Sequence, residues 1–263
     1  MLSVWGTKPR IFSGEELENF EDMVFWLLPQ LQNDQASKRV IEIQRSLLPQ
    51  SNLTISGYEM VGFCHPHYST GGDYYDWLET IDGAAFMLAD VMGKGMLSAI
   101  TAVALRATFR TASLNHYTEQ VMNIASQVLE PDLQRAGSFV TLIYGQLNTF
   151  LNQVRYIDAG HGLATHVTKD GKITTLTTSN YPIGTGQNVE WQILNIEMAH
   201  GDTLILVSDG VLDIFDESQD ALKEIADMAV AANSAQKFID ELKEILSNAV
   251  VSDDVTALIL RRT

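Results

Sequence analysis

The sequence predicts an α+β layered fold. β-like runs bunch in the middle of the chain, and helical blocks come in pairs around them, not in regular βαβ alternation. With 46% hydrophobic and 19% charged residues, a chain of 263 residues has ample apolar material for a sizeable core. Residues 1–50 are expected to form an N-terminal helical linker or dimerisation segment, and residues 51–263 the main domain.

The first segment opens on Ser13 and Glu16, the spacing of a capping box. Leu17, Phe20, Val24, Leu27, Leu28 and Leu31 then recur at helical spacing, and Pro29 should kink or break that helix. Glu15, Glu16, Glu18, Glu21 and Asp22 crowd its start, where carboxylates favour the positive end of the helix dipole. Ala36, Val40, Ile43 and Leu47 follow at heptad-like steps until Pro49. That short seam could pair with a second copy of the chain or lie on the main domain.

Strands are expected at Glu59–His65, Ala84–Val91, Phe139–Leu147, Gln153–Asp158, Leu163–Thr168, Lys172–Leu176, Trp191–Ile196, Thr203–Ser208 and Val255–Leu260. Helices are expected at Leu97–Ser113 with Glu119–Leu129, and at Ala221–Ala232 with Ala235–Ser247.

The charge excludes several function classes. Seventeen Lys and Arg against 33 Asp and Glu give a formal −16, which argues against nucleic-acid binding and against a grip on anionic lipid. Cys64 is the only cysteine, so neither a disulfide framework nor a thiolate metal cluster can form. The start of the chain has no export signal and no run long enough to cross a membrane, so it reads as a cytoplasmic protein without direct membrane insertion.

Four aspartates stand at the ends of apolar strands beside glycine or a second aspartate. They are Asp73 in Gly71-Gly72-Asp73-Tyr74-Tyr75-Asp76, Asp90 in Ala89-Asp90-Val91-Met92-Gly93-Lys94-Gly95, Asp209 in Ser208-Asp209-Gly210, and Asp253 in Asp253-Asp254-Val255-Thr256. An Asp-Gly turn is common on its own. Brought together, however, such carboxylates would repel by about 4 kcal/mol per pair at 4 Å and an effective dielectric of 20, a cost that a divalent cation removes. With no thiolates and no clear histidine set beside them, the pattern favours Mg²⁺ or Mn²⁺ over zinc.

These motifs, with Phe139-Val140-Thr141-Leu142, Ala159-Gly160-His161 and Ser208-Asp209-Gly210-Val211, resemble in order and spacing the series of the SpoIIE/RsbU-type phosphatases. That group is the bacterial branch of the metal-dependent (PPM) protein serine/threonine phosphatases. Gln44-Arg45-Ser46-Leu47-Leu48-Pro49 resembles the linker helix that often precedes the domain. The resemblance implies a layered α-β-β-α sandwich with two Mn²⁺ or Mg²⁺ ions at one end. By motif position Asp90 would bridge them, the Val91 carbonyl would help to bind one, and Asp73, Asp209 and Asp253 would complete the ligands. Asp90 and Asp209 are the residues expected to matter most for catalysis, and Asp76 and Asp254 would stand behind the ligands or serve a further metal.

The activity so implied is hydrolysis of a phosphoserine or phosphothreonine monoester by a metal-activated water. The substrate would be a phosphorylated STAS-type anti-sigma-factor antagonist in a bacterial partner-switching pathway, with a sensor partner or a second copy acting on the N-terminal helices. A noncatalytic regulator built on the same fold is the alternative, and a zinc hydrolase on His65 and His67 is a third reading. Cys64 cannot serve a Cys-x5-Arg phosphatase, because Thr70 occupies the arginine position. Gly93-Lys94-Gly95 lacks the spacing of a nucleotide-binding loop, and the following helix start could instead face an anion. Arg106, Arg110 and Arg135 are considered as phosphate clamps, with surface or helix-pairing roles favoured. Asp213, Asp216, Glu217 and Asp220 read as helix cap and solvent-facing charge.

Overall fold

Several central strands are apolar on both faces, so each must be covered twice, once by another sheet and once by helices. A computed structural model describes residues 39, 42–67, 71–93, 96–176, 180–187, 190–215, 221–249 and 251–263. The expected first helix, Ala36 and Val40 of the seam, Lys94-Gly95 and Asp216–Asp220 lie outside the described residues.

One sheet contains β1 (Leu53–Ile55), β2 (Tyr58–His65), β7 (Ala164–Val167), β8 (Ile173–Leu176), β10 (Thr203–Val207) and β11 (Val255–Arg262), in the order β1-β2-β11-β10-β7-β8. The other runs β3 (Asp73–Thr80), β4 (Gly83–Val91), β5 (Val140–Asn148), β6 (Gln153–Ala159) and β9 (Leu194–Glu197). Every pair of neighbours within the two sheets is antiparallel. Helices α1 (Met96–Ser113) and α2 (Thr118–Ala136) cover the second sheet, and α3 (Ala221–Ala231) and α4 (Ala235–Leu246) cover the first.

The period-2 rule assigns the layers. On β4, Ala84, Phe86 and Leu88 enter the space between the sheets with Leu258 and Leu260 of β11. Ala85, Met87 and Ala89 turn the other way, toward Leu105 and Phe109 of α1 and Met122 of α2. Val255, Ala257 and Ile259 of β11 likewise meet Phe238, Ile239 and Leu242 of α4. The expected α-β-β-α layering is therefore present.

Four elements depart from the sequence expectation. β3 and the short β1 were not expected as strands, and β9 is shorter than the run Trp191–Ile196. β3 hides because its alternation is not apolar against polar: Tyr75 and Trp77 fill the sandwich, while Tyr74 and Asp76 are buried on the opposite face. Helix α2 continues through Pro131 to Ala136, past the expected end at Leu129. Burial of Leu133 holds the extra turns, and Gly137, at φ 63°, closes the helix by donating its N–H to the Leu133 and Gln134 carbonyls.

Residues 42–47 are helical and lie against the second sheet. Gln44, buried, donates from Nε2 to the Gly71 carbonyl at 2.8 Å. The Leu47 carbonyl accepts from the Tyr74 hydroxyl at 2.9 Å and from Arg106 Nε at 3.0 Å. The seam is thus divided: Leu47 packs on the α1/α2 core, whereas Ile43 is 58% exposed.

Candidate metal centre

The start of β3, the end of β4, the end of β10 and the start of β11 fall at one end of the sandwich. Antiparallel pairing places Asp73 directly across from Asp90, and Asp90 across from Thr141. The β10–β11 pairing brings the turn carrying Asp209, a 3-10 turn over Asp209–Ile214, beside the segment carrying Asp253 and Asp254. The approach is close: a Cβ on Gly210 would lie 2.2 Å from the Asp254 carbonyl oxygen, so only glycine fits there.

Asp254 joins the two sheets. Its carboxylate accepts from the backbone N–H groups of His67 and Gly72, both at 2.8 Å. Ser208 completes the clamp, donating its hydroxyl to the Asp254 carbonyl at 3.0 Å while its Oγ accepts from Thr256 N–H at 2.9 Å. Asp213 accepts from both the N–H and the hydroxyl of Ser252, bonds that hold its carboxyl below the usual range. Asp213 is exposed, as expected from the sequence, and it also pins the loop that presents Asp253.

The His161 loop braces the same end. The Asp158 carboxylate accepts from the N–H groups of His161 at 2.7 Å and Gly162 at 2.9 Å. The His161 ring engages the Val207 carbonyl through Nε2 at 2.8 Å, two residues before Asp209. Burial pushes the His161 pKa down, with Asp158 pulling against it.

Asp73 is the electrostatic anomaly. It is 4% exposed, and its Oδ2 has no hydrogen-bond partner among the described residues. Burial first, and then the charge of Asp90, hold its carboxyl well above the ordinary value, while the hydroxyls of Thr256 and Ser208 pull the other way. Next to it, a Cβ on Gly72 would meet the Val91 carbonyl oxygen at 2.6 Å, Asp90 Oδ1 at 3.3 Å and the Gly93 carbonyl at 3.4 Å. Three oxygens therefore face the bare side of Gly72. Carboxylate and carbonyl oxygens beside a buried carboxylate oxygen without a hydrogen-bond partner are donors of the type that suits a hard divalent cation such as Mg²⁺ or Mn²⁺.

Asp90 and Asp253 are half-buried, and Asp209 is exposed. Among the described residues no three His, Cys, Asp or Glu side chains stand close enough together to hold an ion. The four aspartates share one end of the sandwich, with Asp73 and Asp90 in direct register, but their side chains do not close on a common centre.

The remaining candidates have other occupations. Asp76 faces away from this end and is held by Arg110, at 2.6 Å from Nε and 2.7 Å from Nη2, with Arg106 at 3.6 Å. Both of its carboxylate oxygens are engaged by Arg110, and the same contact commits Arg106 and Arg110 to pairing the helix with the sheet. Arg135 pairs with Asp132 on its own helix. His65 and His67 are exposed at and just beyond the end of β2, and Cys64 is a β2 residue paired with Thr256. No described helix is long and apolar enough to cross a membrane.

This arrangement has relatives. Phosphoserine phosphatase RsbU of Bacillus subtilis (strain 168) is 27% identical over 205 residues, which cover 75% of this chain and 61% of RsbU. The chain thus spans less than two thirds of the length of that relative. Among solved structures, the PP2C domain of SiaA from Pseudomonas aeruginosa superposes with a TM-score of 0.71 at 21% identity, covering 89% of this chain and 98% of that one. The catalytic domain of the serine/threonine protein phosphatase PstP, solved in complex with two manganese ions, gives 0.61 at 15% identity, with 78% and 97% covered. Both likenesses carry the fold. The model of the family described as Stage II sporulation protein E (SpoIIE) matches residues 81–263, and the chain belongs to that family.

Proposed function

We propose that this chain is a Mn²⁺- or Mg²⁺-dependent protein phosphatase that hydrolyses phosphoserine or phosphothreonine monoesters. The observation that carries the reading is the orphaned, buried carboxylate oxygen of Asp73, set across the strand pair from Asp90 and beside the oxygens facing Gly72. A fold that leaves such a group uncompensated is at its best with a cation there. The relationship to RsbU, named a phosphoserine phosphatase, supports the reaction class, and the manganese ions of PstP support the choice of metal.

In this reading Asp73, Asp90, Asp209, Asp253 and the Val91 carbonyl would hold two ions, and Asp90 and Asp209 would be indispensable to turnover. The bound ions would supply a nucleophilic water at neutral pH and offset charge on the phosphoryl oxygens. The chain's own work is positional. Asp254 and Ser208 fix the β3 and β11 ends against each other, Asp213 anchors the loop of Asp253, and His161 holds the end of β10 from which Asp209 projects.

The substrate we favour is a phosphorylated STAS-domain antagonist in a partner-switching pathway, by analogy with RsbU. A sensor partner, or a second copy of the chain, acting on the N-terminal helices belongs to the same reading. Its support is the docking of residues 42–47 on Gly71, Tyr74 and Arg106.

The test is manganese-dependent phosphate release from p-nitrophenyl phosphate and from a phosphorylated STAS-domain protein. We expect Asp90→Asn and Asp209→Asn each to lower kcat by roughly 10²-fold or more, the scale on which transition-state charge stabilisation is lost. Absence of turnover on both substrates with excess Mn²⁺ would instead favour a noncatalytic regulator.

A further inference from the structure

The three arginines considered from sequence as phosphate clamps are all committed, two to Asp76 and one to Asp132. Arg45 was not considered, because it sits in the linker segment, before the first motif. The structure brings it to the metal end. A small open cleft lies between the 42–47 segment and the ends of β2 and β3, where Arg45 and Leu48 face Cys64, Pro66, Gly71 and Asp73.

Arg45 is exposed, and its side chain makes no ion pair among the described residues. Its backbone is nevertheless fixed. The preceding residue, Gln44, is tied to Gly71, and the Arg45 carbonyl accepts from Leu48 N–H at 3.3 Å and from Gln50 Nε2 at 3.1 Å. Its charge reaches the cleft wall: the Cys64 thiol, pushed up to about 12 by burial and next by Asp73, is pulled back down by Arg45. Arg45 and the buried Asp73 thus line the same cleft, the one a cation without an ion pair among the described residues and the other a buried carboxylate.

Resting on the phosphatase reading above, we propose that Arg45 is a substrate-binding residue, whose guanidinium takes an oxyanion of the phosphoprotein at this cleft. That oxyanion is either a phosphoryl oxygen or a carboxylate flanking the phosphorylated residue. Guanidinium recognises both by the same bidentate geometry. The linker segment thereby contributes a residue to the mouth of the site.

The test uses the full chain with Mn²⁺ and three substrates: p-nitrophenyl phosphate, and two phosphoserine peptides that differ in having Glu or Ala beside the phosphoserine. Arg45→Ala is expected to raise KM about 10-fold with kcat held, and Arg45→Lys to recover part of the loss. A rise on all three substrates assigns the guanidinium to the phosphoryl group, and a rise on the Glu peptide alone assigns it to the carboxylate. An unchanged KM on all three overturns the proposal, as does a fall in kcat with weakened Mn²⁺ affinity and no change in KM.

Fluorescence anisotropy of the labelled Glu peptide separates this proposal from the reading beneath it. If the wild type binds without turnover and Arg45→Ala binds about tenfold more weakly, the phosphatase reading falls and the Arg45 site stands. Equal binding by both proteins, or none by either, sinks the Arg45 site, whatever Asp90→Asn does to catalysis.

Discussion

Asp73 and Asp76 lie three residues apart on β3 and are equally hidden, at 4% and 3% exposure, yet the fold treats them oppositely. Asp76, between the sheet and α1, receives two hydrogen bonds from Arg110 and has Arg106 close by. Asp73, at the end of the sandwich, is set against Asp90 and keeps an unpartnered oxygen. A buried carboxylate with its cation built in ties elements together, whereas one without carries an uncompensated desolvation cost when it ionises. The Asp158 carboxylate, 2% exposed, is a third case, met by the backbone N–H groups of His161 and Gly162.

The comparison breaks most visibly at Asp76. Arg110→Leu removes its main cation, and we expect a loss of about 3 kcal/mol in urea unfolding, since removing one partner of a buried pair leaves the other charge uncompensated. Asp76→Asn in the same chain should recover much of that loss, and a double-mutant cycle would measure the coupling. A loss no larger than that of a surface pair, under about 1 kcal/mol, would mean that Arg106 or water already satisfies Asp76.

At Asp73 the sign reverses. Its folded-state pKa is raised, so in the metal-free protein its contribution is fully present below the ordinary carboxylate value of about 3.9 and is lost as pH rises through the folded value. Asp73→Asn should therefore stabilise the protein in EDTA at pH 7 by about 2 kcal/mol, and flatten that fall in stability with pH. It should also abolish the stabilisation that Mn²⁺ gives the wild type. Thermal melts across pH, with and without Mn²⁺, check all three, and destabilisation by Asp73→Asn in EDTA would refute the contrast with Asp76.

Asp158→Asn should have the smallest effect. The amide keeps one acceptor but turns a donor toward backbone N–H groups, at a cost of about 1 kcal/mol in chemical denaturation. Because its partners belong to the chain, added Mn²⁺ should not change that difference.

Much of this was legible in one dimension. Near-continuous apolar runs marked β4, β5, β10 and β11, and the aspartates beside glycine or a second aspartate at the ends of β4, β10 and β11 marked carboxylates that share one end of the sandwich. β3 was not legible as a strand, although it carries Asp73, because aromatic and acidic residues alternate on two buried faces and no period-2 contrast survives. Asp254, Ser208 and Asp213 were underrated for a related reason. Their work is done through hydrogen bonds to the backbone of segments as many as 187 residues distant, and no local spacing reports that.

The sequence by itself determined the layering and the chemical type of the site, because the periodicity of apolar residues and the hardness of oxygen donors are local properties of residue type. Only the tertiary structure decided which buried carboxylate is paired with a cation and which keeps an oxygen without a hydrogen-bond partner among the described residues. Asp73 and Asp76 belong to one motif and have the same side chain. What separates them is that α1 lays Arg110 over one face of β3, while the register of β4 sets Asp90 against the end of the strand, and Coulomb energy depends on where the partner charge stands.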